Sequence, residues 1–339
     1  MNDLTRGDPE TLGAGIEPLD TPVVTSPLPG GEERLWRLKA IRLAGLSWPC
    51  AGEPVKPVPT FMLHGWLDNC LSFCKLAPAL AALSDVHTLD MAGHGKSGHR
   101  PAGQSYLLMD YVGDLAELVD RYVTDVGPDA GDGRVDLVGH SLGGIVASLY
   151  AAAFPERVRR LVMIDSLGAI SRPVEETVPQ LRKALRKRLA GSGRAVTYPD
   201  LATAAKAREG GFIPLSHESS LTLVARNMTQ TDDGFVWHTD ARLRHPSSLM
   251  MTEPQVRAVL SAIETPSLFV RAADGLLASR KGMNERVDCL KGLTVATVPG
   301  GHHCHLEGDT SVVDQVVADF LAAPDVPASP VGTMGDTRG

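Results

Sequence analysis

The sequence lacks the features that mark secreted and membrane-spanning proteins. It has five cysteines, an odd number, and no CxxC pair, which fits free thiols in a reducing compartment. No run of apolar residues approaches the roughly 18–20 that a membrane span needs. The N-terminal stretch contains no apolar segment of the kind found in secretory signals, and the last three residues do not form the peroxisomal signal SKL. We therefore expect a cytoplasmic protein without stable membrane insertion.

Concentrated positive charge is also missing. The formal net charge is −7 and the isoelectric point is about 5.9, with Lys and Arg scattered along the chain. Proteins that hold the phosphate backbone of a nucleic acid usually collect such residues on one face, so we expect no nucleic-acid partner. Apolar residues make up 43% of the 339 residues, which is ample for a large core. The expected partner is a small-molecule substrate, while the oligomeric state is not determined by the sequence.

Short β-rich runs alternate with longer amphipathic segments of helical period. Short apolar strands separated by helices imply crossover connections, which make a mostly parallel sheet buried on both faces. The pattern therefore predicts an α/β fold. Ahead of it, residues 35–48 alternate apolar and polar side chains and predict two short antiparallel strands or one bent strand. The predicted strands of the repeated pattern are TFML at 60, VHTLD at 86, VDLVG at 135, RLVMID at 160, SLFV at 267 and TVATV at 294.

One long interval interrupts this alternation. Between RLVMID and SLFV lie about a hundred residues of mostly helical character, where a single crossover helix would suffice. We interpret the interval as an inserted helical cap. The predicted organisation is a flexible tail at 1–33, a core at 34–166 and 263–323, the cap at 167–262, and a second flexible tail at 324–339.

The stretch VDLVGHSLGG places Ser141 between two glycines, where an apolar strand runs into an apolar helix. A very tight turn would push its Oγ out of the backbone, and Gly139 and Gly143 would let other chain segments pass closely. The backbone N–H of Leu142 would then lie at a helix N-terminus, where free donors and a partial positive charge favour an oxyanion. The N–H of Trp66, in the loop after TFML, is the second expected donor of this oxyanion hole.

A serine is a poor nucleophile at neutral pH, so it needs a base and a carboxylate that orients the base. Open parallel sheets bring such groups together, because ligands bind beyond the carboxyl ends of their strands. The residues after the predicted strands at 267 and 294 include Asp274 and His302, which we take as acid and base. His303 and His305 complete a histidine cluster that also suggests a metal site. The HExxH and HxHxDH patterns are absent, however, and we expect neither a metal nor an organic cofactor.

These motifs resemble the α/β-hydrolase fold family. GHSLGG is similar to the family's nucleophile elbow, and the order Ser141, Asp274, His302 is similar to its chain order of nucleophile, acid and base. More narrowly, HGWLDN, SLYAAAFPERVRRLVMID and PGGHHCHLE resemble the serine hydrolase-like proteins, relatives of epoxide hydrolases with serine at the elbow. The resemblance covers roughly residues 35–322 and implies a mostly parallel sheet of about eight strands, flanked by helices and carrying a helical cap.

The resemblance leaves two assignments open. Some members of the family carry their acid after the sixth strand, which makes Asp165 a rival of Asp274. Alignment on the trailing HLE favours His302 as the base, with His303 as the alternative. One class of reaction is disfavoured, because epoxide hydrolases and haloalkane dehalogenases of this kind need an aspartate nucleophile and residue 141 is serine.

We expect a serine hydrolase that cleaves a carboxylic ester or a related acyl bond, such as a thioester or an amide. Ser141 would attack the carbonyl carbon and His302 would accept the serine proton and pass it to the leaving group. Trp66, Phe235 and Trp237 predict an apolar pocket that suits a small or medium acyl group. Two alternatives remain, since the fold supports many reactions: a small-molecule binding protein with little turnover, and a C–C bond hydrolase or lyase.

One segment of the predicted cap combines an apolar stripe with dense positive charge. In LRKALRKRLAGSGR, residues 181–194, Leu181, Leu185 and Leu189 share one face of a helix. Such a stripe usually packs a surface helix onto its neighbour while the Lys and Arg side chains stay solvated. Two alternatives are the steering of an anionic substrate and contact with an acidic membrane surface.

Overall fold

The computed structural model describes residues 31–52, 58–126 and 132–324. The tails predicted at 1–33 and 324–339 therefore lie almost wholly outside the described residues. The first strand begins at Glu32, so the predicted core boundary at residue 34 is two residues late. Glu32 pairs with Ser47 in the second strand, and this antiparallel pairing draws the end of the predicted tail into the sheet.

A sheet of eight strands forms the centre of the described residues. Its order is β1-β2-β4-β3-β5-β6-β10-β11, with β2 antiparallel to both neighbours and all other neighbours parallel. This confirms the predicted mostly parallel sheet and the antiparallel pair that precedes it. The strands are β1 (Glu32–Arg37), β2 (Arg42–Trp48), β3 (Thr60–Leu63), β4 (Val86–Asp90), β5 (Val135–His140), β6 (Val158–Ile164), β10 (Ser267–Asp274) and β11 (Leu293–Gly301).

The two faces of this sheet bury two separate apolar clusters. Side chains alternate between the faces of a strand, so Phe61 and Leu137 enter one cluster while their neighbours Met62 and Val138 enter the other. Helix α3 packs on β5 and β6, and α9 packs on β10 and β11. The helices outside the long interval are α1 (Leu76–Leu80), α2 (Leu108–Val126), α3 (Leu142–Ala153), α8 (Met283–Cys289) and α9 (Ser311–Ala322).

The interval between β6 and β10, which we call the insert (residues 167–262), combines helices with a small antiparallel sheet of order β7-β9-β8. The sequence pattern is mostly helical here and shows no comparable strand, because strands of two to four residues are too short to show a period. The elements of the insert are α4 (Thr177–Ala190), β7 (Thr197–Tyr198), α5 (Leu201–Glu209), α6 (His217–Asn227), β8 (Met228–Thr231), β9 (Gly234–Trp237) and α7 (Glu253–Ser261).

A buried ion-pair network fastens the insert to the sheet. Arg226, at the end of α6, donates from Nε to Asp90 Oδ2 at 2.7 Å and from Nη1 to Glu33 Oε1 at 2.8 Å. Asp90 is the last residue of β4 and is fully buried, so its charge requires such a partner. The insert is therefore anchored above the carboxyl end of a central strand.

Helix α4 departs from the packing expected of an amphipathic surface helix. Ala184 is its only buried residue, whereas Leu181, Leu185 and Leu189 are all exposed. The expectation that this stripe packs on a neighbouring element is therefore wrong. Within the described part of the chain, no helix is both long and apolar enough to span a bilayer.

Candidate active site

Ser141 occupies a sharp turn between β5 and α3. Its φ and ψ angles are 50° and −114°, which a residue with a side chain seldom adopts. The turn depends on glycine, because a Cβ on Gly143 would lie 2.0 Å from the carbonyl oxygen of Leu63 and one on Gly139 would lie 2.5 Å from the carbonyl carbon of Gly143. The predicted strand, serine turn and helix are all present, in that order.

The loop after β3 is fixed beside this turn by His64. The backbone N–H of Met91 donates to His64 Nε2 at 3.0 Å, so Nδ1 holds the ring proton and donates to the carbonyl oxygen of Gly65 at 2.7 Å. The carbonyl oxygen of His64 in turn accepts from the N–H of Gly143 at 3.1 Å. These bonds join the loop that contains Trp66 to the first turn of α3.

Both predicted oxyanion donors lie at the cavity that Ser141 lines. Leu142 is the first residue of α3, and the first N–H groups of a helix have no intrahelical partner. The indole Nε1 of Trp66 donates to the carbonyl oxygen of Leu243 at 3.0 Å, which holds its ring against the insert. Their assignment as oxyanion donors remains a prediction.

His302 is paired with Asp165. The Nδ1 atom of His302 lies 2.6 Å from Asp165 Oδ2, and both side chains are buried. A carboxylate accepts this hydrogen bond, so the proton is on Nδ1 and Nε2 keeps a free lone pair. The backbone N–H of Leu276 also donates to Asp165 Oδ2, at 2.8 Å, and Gly275 leaves room for the carboxylate, since a Cβ there would lie 2.4 Å from Oδ1.

Asp274, the predicted acid, is not at His302. Strand β10 continues four residues past Val270 and ends at Asp274, which is exposed and pairs in register with Gly301 of β11. The neighbouring strand β6 stops at Ile164, the register partner of Val270, so Asp165 is the residue that turns into the site. The carboxylate that contacts His302 is therefore Asp165 and not Asp274, because SLFV marks only the buried first half of a longer strand.

Asp68 and Arg208 form a polar network that the sequence analysis missed. Asp68 Oδ2 accepts from His303 Nε2 at 3.0 Å and Oδ1 accepts from Arg208 Nη2 at 3.1 Å. Burial by itself would raise the pKa of Asp68, but His303 and Arg208 outweigh it and hold that pKa well below its usual range. His140 Nε2 donates to the backbone oxygen of His302 at 2.9 Å and so supports the loop. His303 is thus engaged away from Asp165.

Asp68, His140 and His303 are also close enough to suggest a metal site, since one donor atom from each lies within 4.8 Å of the others. A zinc site usually has four ligands at about 2.0–2.3 Å. Both oxygens of Asp68 already accept hydrogen bonds, one of them from a guanidinium that would repel a cation. The three side chains therefore fit a hydrogen-bonded network better than a metal centre.

A cavity of about 520 Å³ connects these groups. Trp66 and Trp237 line it, as predicted, but Phe235 does not. The ring of Phe235 packs instead on the small apolar cluster inside the insert, around Ala204 and Val224. The remaining lining residues include the apolar side chains Leu67, Leu142, Ile145, Ile170, Phe212, Ile213 and Leu276, and the charged side chains Arg208 and Arg244.

Comparison with known proteins agrees with this geometry. The model of the α/β hydrolase fold family matches residues 59–309. The match spans most of the chain and includes Ser141, Asp165 and His302. The chain belongs to the α/β-hydrolase fold family.

Individual proteins within this family are also similar to the chain. A serine hydrolase-like protein of Danio rerio is 30% identical over 322 residues, which cover 91% of each chain. The crystal structure of a hypothetical protein from Pseudomonas aeruginosa PAO1 is 36% identical, has a TM-score of 0.76, and covers 86% of this chain and 98% of that chain. A 2-hydroxy-6-oxo-2,4-heptadienoate hydrolase of Pseudomonas putida is 31% identical over 139 residues, 38% of this chain and 47% of that one. The resemblance to serine hydrolase-like proteins is confirmed, and these relatives support a hydrolase.

The α/β hydrolase buries several histidines whose charging opposes folding, so acidification from about pH 7.5 to about pH 5.5 should destabilise it. Below about pH 6.5 the unfolded histidines bind more protons than the folded ones, so the free energy of unfolding falls as the pH falls, by up to about 1.4 kcal/mol per pH unit for each histidine. Urea titrations across this range measure the slope. The histidines concerned are His64, His94, His140 and His305. Burial is the largest cause that lowers the pKa of each, and it lowers the pKa of His94 to about 3.

The matched variant for this prediction is His94→Asn, which removes one of the titrating groups. In this variant the free energy of unfolding should change less steeply with pH, because one fewer proton is bound on unfolding. Asp68 adds no slope in this range, because its carboxyl is ionised in both the folded and the unfolded state. An unfolding free energy that stays constant between the two pH values would contradict the prediction.

Proposed function

We propose that this α/β hydrolase is a serine hydrolase that cleaves the carboxylic ester of a small to medium, largely apolar acyl group. The observation that supports the proposal best is that Ser141 lies on a glycine-dependent turn in one cavity with His302, whose Nδ1 is bound by Asp165. A nucleophile at one cavity with a base, and a carboxylate bound to that base, suit acyl transfer. Asp165 replaces Asp274 in the proposed triad.

In the proposed mechanism, His302 Nε2 accepts the proton of Ser141 as Oγ attacks the ester carbonyl carbon. The N–H groups of Leu142 and Trp66 stabilise the oxyanion of the tetrahedral intermediate. As the intermediate collapses, the bond to the alcohol breaks and His302 donates its proton to the leaving oxygen. Water then attacks the acyl-enzyme with the same base, which releases the acid and restores Ser141.

The cavity supports the proposed size and polarity of the substrate. Its volume of about 520 Å³ lies in the usual range for small-molecule sites, about 300–1,000 Å³. Residues of the insert, including Ile170, Phe212 and Trp237, form part of its wall, so we propose that the insert acts as a cap. The cysteines are all free, which favours a reducing, cytoplasmic location.

The proposal can be tested without knowledge of the natural substrate. A small fluorophosphonate reacts with a serine that has a base and an oxyanion hole, and intact-mass spectrometry detects the adduct. We expect one adduct on the native protein and none on Ser141→Ala. Ser166→Ala is the matched control, because Ser166 is the neighbouring serine whose Oγ donates to the Ser141 carbonyl oxygen at 2.8 Å. Failure of the native protein to react, or equal labelling of Ser141→Ala, would refute the proposed nucleophile.

A second candidate is hydrolysis of a C–C bond next to a carbonyl. The local similarity to the Pseudomonas putida hydrolase, at 31% identity over 139 residues, is the observation that favours it. The two candidates differ in the bond that breaks, so a panel of aryl esters graded by acyl length, run beside a vinylogous diketone, separates them. Turnover of the diketone alone would replace the ester proposal.

A further inference from the structure

Helix α4 exposes an apolar stripe instead of burying it. Val178, Leu181, Leu185 and Leu189 follow one another at intervals of three or four residues, which places them on one side of the helix. Their exposed fractions are 61%, 41%, 46% and 88%. The structure offers this stripe no covering element within the described residues, so its burial requires an external surface.

The same helix has a strong positive charge. Residues 177–190 include five Lys and Arg residues and no Asp or Glu, although the whole chain has a formal net charge of −7. Arg182 follows Val178 by four residues and Arg186 precedes Leu189 by three, so both lie beside the stripe. Neither makes a salt bridge to a carboxylate within the part of the chain that the structure describes.

Helix α4 is fastened beside the wall of the cavity. Gln180 Nε2 donates to the backbone oxygen of Ser247 at 2.6 Å, and Ser192 Oγ lies 2.8 Å from His245 Nε2. These contacts fasten α4 and the loop after it to the segment that follows Arg244, a residue of the cavity wall. Three apolar residues of that wall are themselves exposed, namely Ile170, Phe212 and Leu276.

We propose that α4 docks the protein on the surface of a membrane rich in anionic phospholipid. The leucines would enter the boundary between headgroups and acyl chains, while Arg182 and Arg186, which flank the stripe, contact lipid phosphates. Charge complementarity selects this occupant over a second copy of the chain, because two α4 helices brought face to face would oppose cations with cations. Because α4 is fastened to the segment that follows Arg244, docking brings the cavity wall near the lipid surface, which is a source of apolar substrates.

Co-sedimentation of the full-length protein with vesicles tests the proposal. Vesicles of phosphatidylcholine with about 30 mol% phosphatidylglycerol should bind the protein, pure phosphatidylcholine should bind it weakly, and salt should release it. The double variant Arg182→Gln/Arg186→Gln should lower the partition constant by about fivefold for each charge removed. Leu185→Ser/Leu189→Ser should lower it on the order of tenfold.

Two controls separate docking from general changes in surface charge or apolarity. Lys291→Gln removes a positive charge ahead of β11, at the end of the sheet opposite the insert, and Val312→Ser removes an apolar side chain of 45% exposure on core helix α9. Both should bind like the native protein. Ester hydrolysis in solution should be unchanged in every variant, so a failure to dock is distinguishable from a failure of the proposed esterase.

Three outcomes would overturn membrane docking. Equal binding to both kinds of vesicle would remove the role of the positive charge, and native binding by both double variants would exclude α4. A dimer detected by light scattering that the leucine variant abolishes would assign the stripe to a second copy of the chain. Thermal unfolding of each variant should match the native protein, because the substituted side chains are exposed.

Discussion

Asp165→Asn is expected to lower kcat for ester hydrolysis by about 10³–10⁴-fold with little change in KM. The asparagine amide would donate to His302 Nδ1, so the ring proton moves to Nε2, which can then no longer accept the proton of Ser141. In the native protein, Asp165 Oδ2 lies 2.6 Å from His302 Nδ1. Steady-state kinetics on an aryl ester, with circular dichroism to verify folding, measures the effect.

Asp274→Asn is the matched control, since it makes the same chemical change at the end of β10. The Asp274 side chain is exposed and its strand ends beyond the site, so kcat should stay within about twofold of the native value. The reverse result, a large loss in Asp274→Asn with native activity in Asp165→Asn, would show that the paired carboxylate is only structural.

Gly143→Ala is expected to destabilise the fold by more than about 4 kcal/mol, the range reached by the most disruptive core substitutions. Its Cβ would lie 2.0 Å from the carbonyl oxygen and 2.4 Å from the carbonyl carbon of Leu63. These are backbone atoms of a central strand and cannot move aside, so α3 would have to shift and the bond from Gly143 N–H to His64 O would be lost. We expect little soluble protein, or a much lower urea midpoint.

Gly113→Ala serves as its control. Gly113 lies inside helix α2, and a Cβ there would meet no atom within 4 Å. Alanine should therefore stabilise the protein by about 0.5–1 kcal/mol through the helix propensity and the lower entropy of the unfolded chain. A soluble Gly143→Ala protein with the native midpoint would mean that the turn tolerates a side chain, which would remove the steric explanation of the glycines.

Several parts of the fold and site followed from local sequence. The six β-rich runs identified the parallel strands, because most of these strands are buried and need apolar side chains whatever surrounds them, although the edge strand β11 is largely exposed. The elbow at Ser141 was equally local, since a turn that tight requires glycines at fixed spacing. His302 was placed beside the elbow by the rule that parallel strands end at one edge of the sheet.

Other features were decided by the tertiary structure. They depend on where each strand ends and on which elements cover each side chain. Asp165 pairs with His302 because β6 stops where β10 continues, a difference in strand length that no residue pattern shows. Phe235 lies inside the insert because a strand too short to predict directs it there. The leucine stripe of α4 would have the same period whether it were buried or exposed. Only the packing of the chain determines that it faces outward. Local sequence thus determined the strands of the main sheet and the turn at Ser141, while the partner of His302 and the exposed face of the insert depend on contacts between residues far apart in the chain.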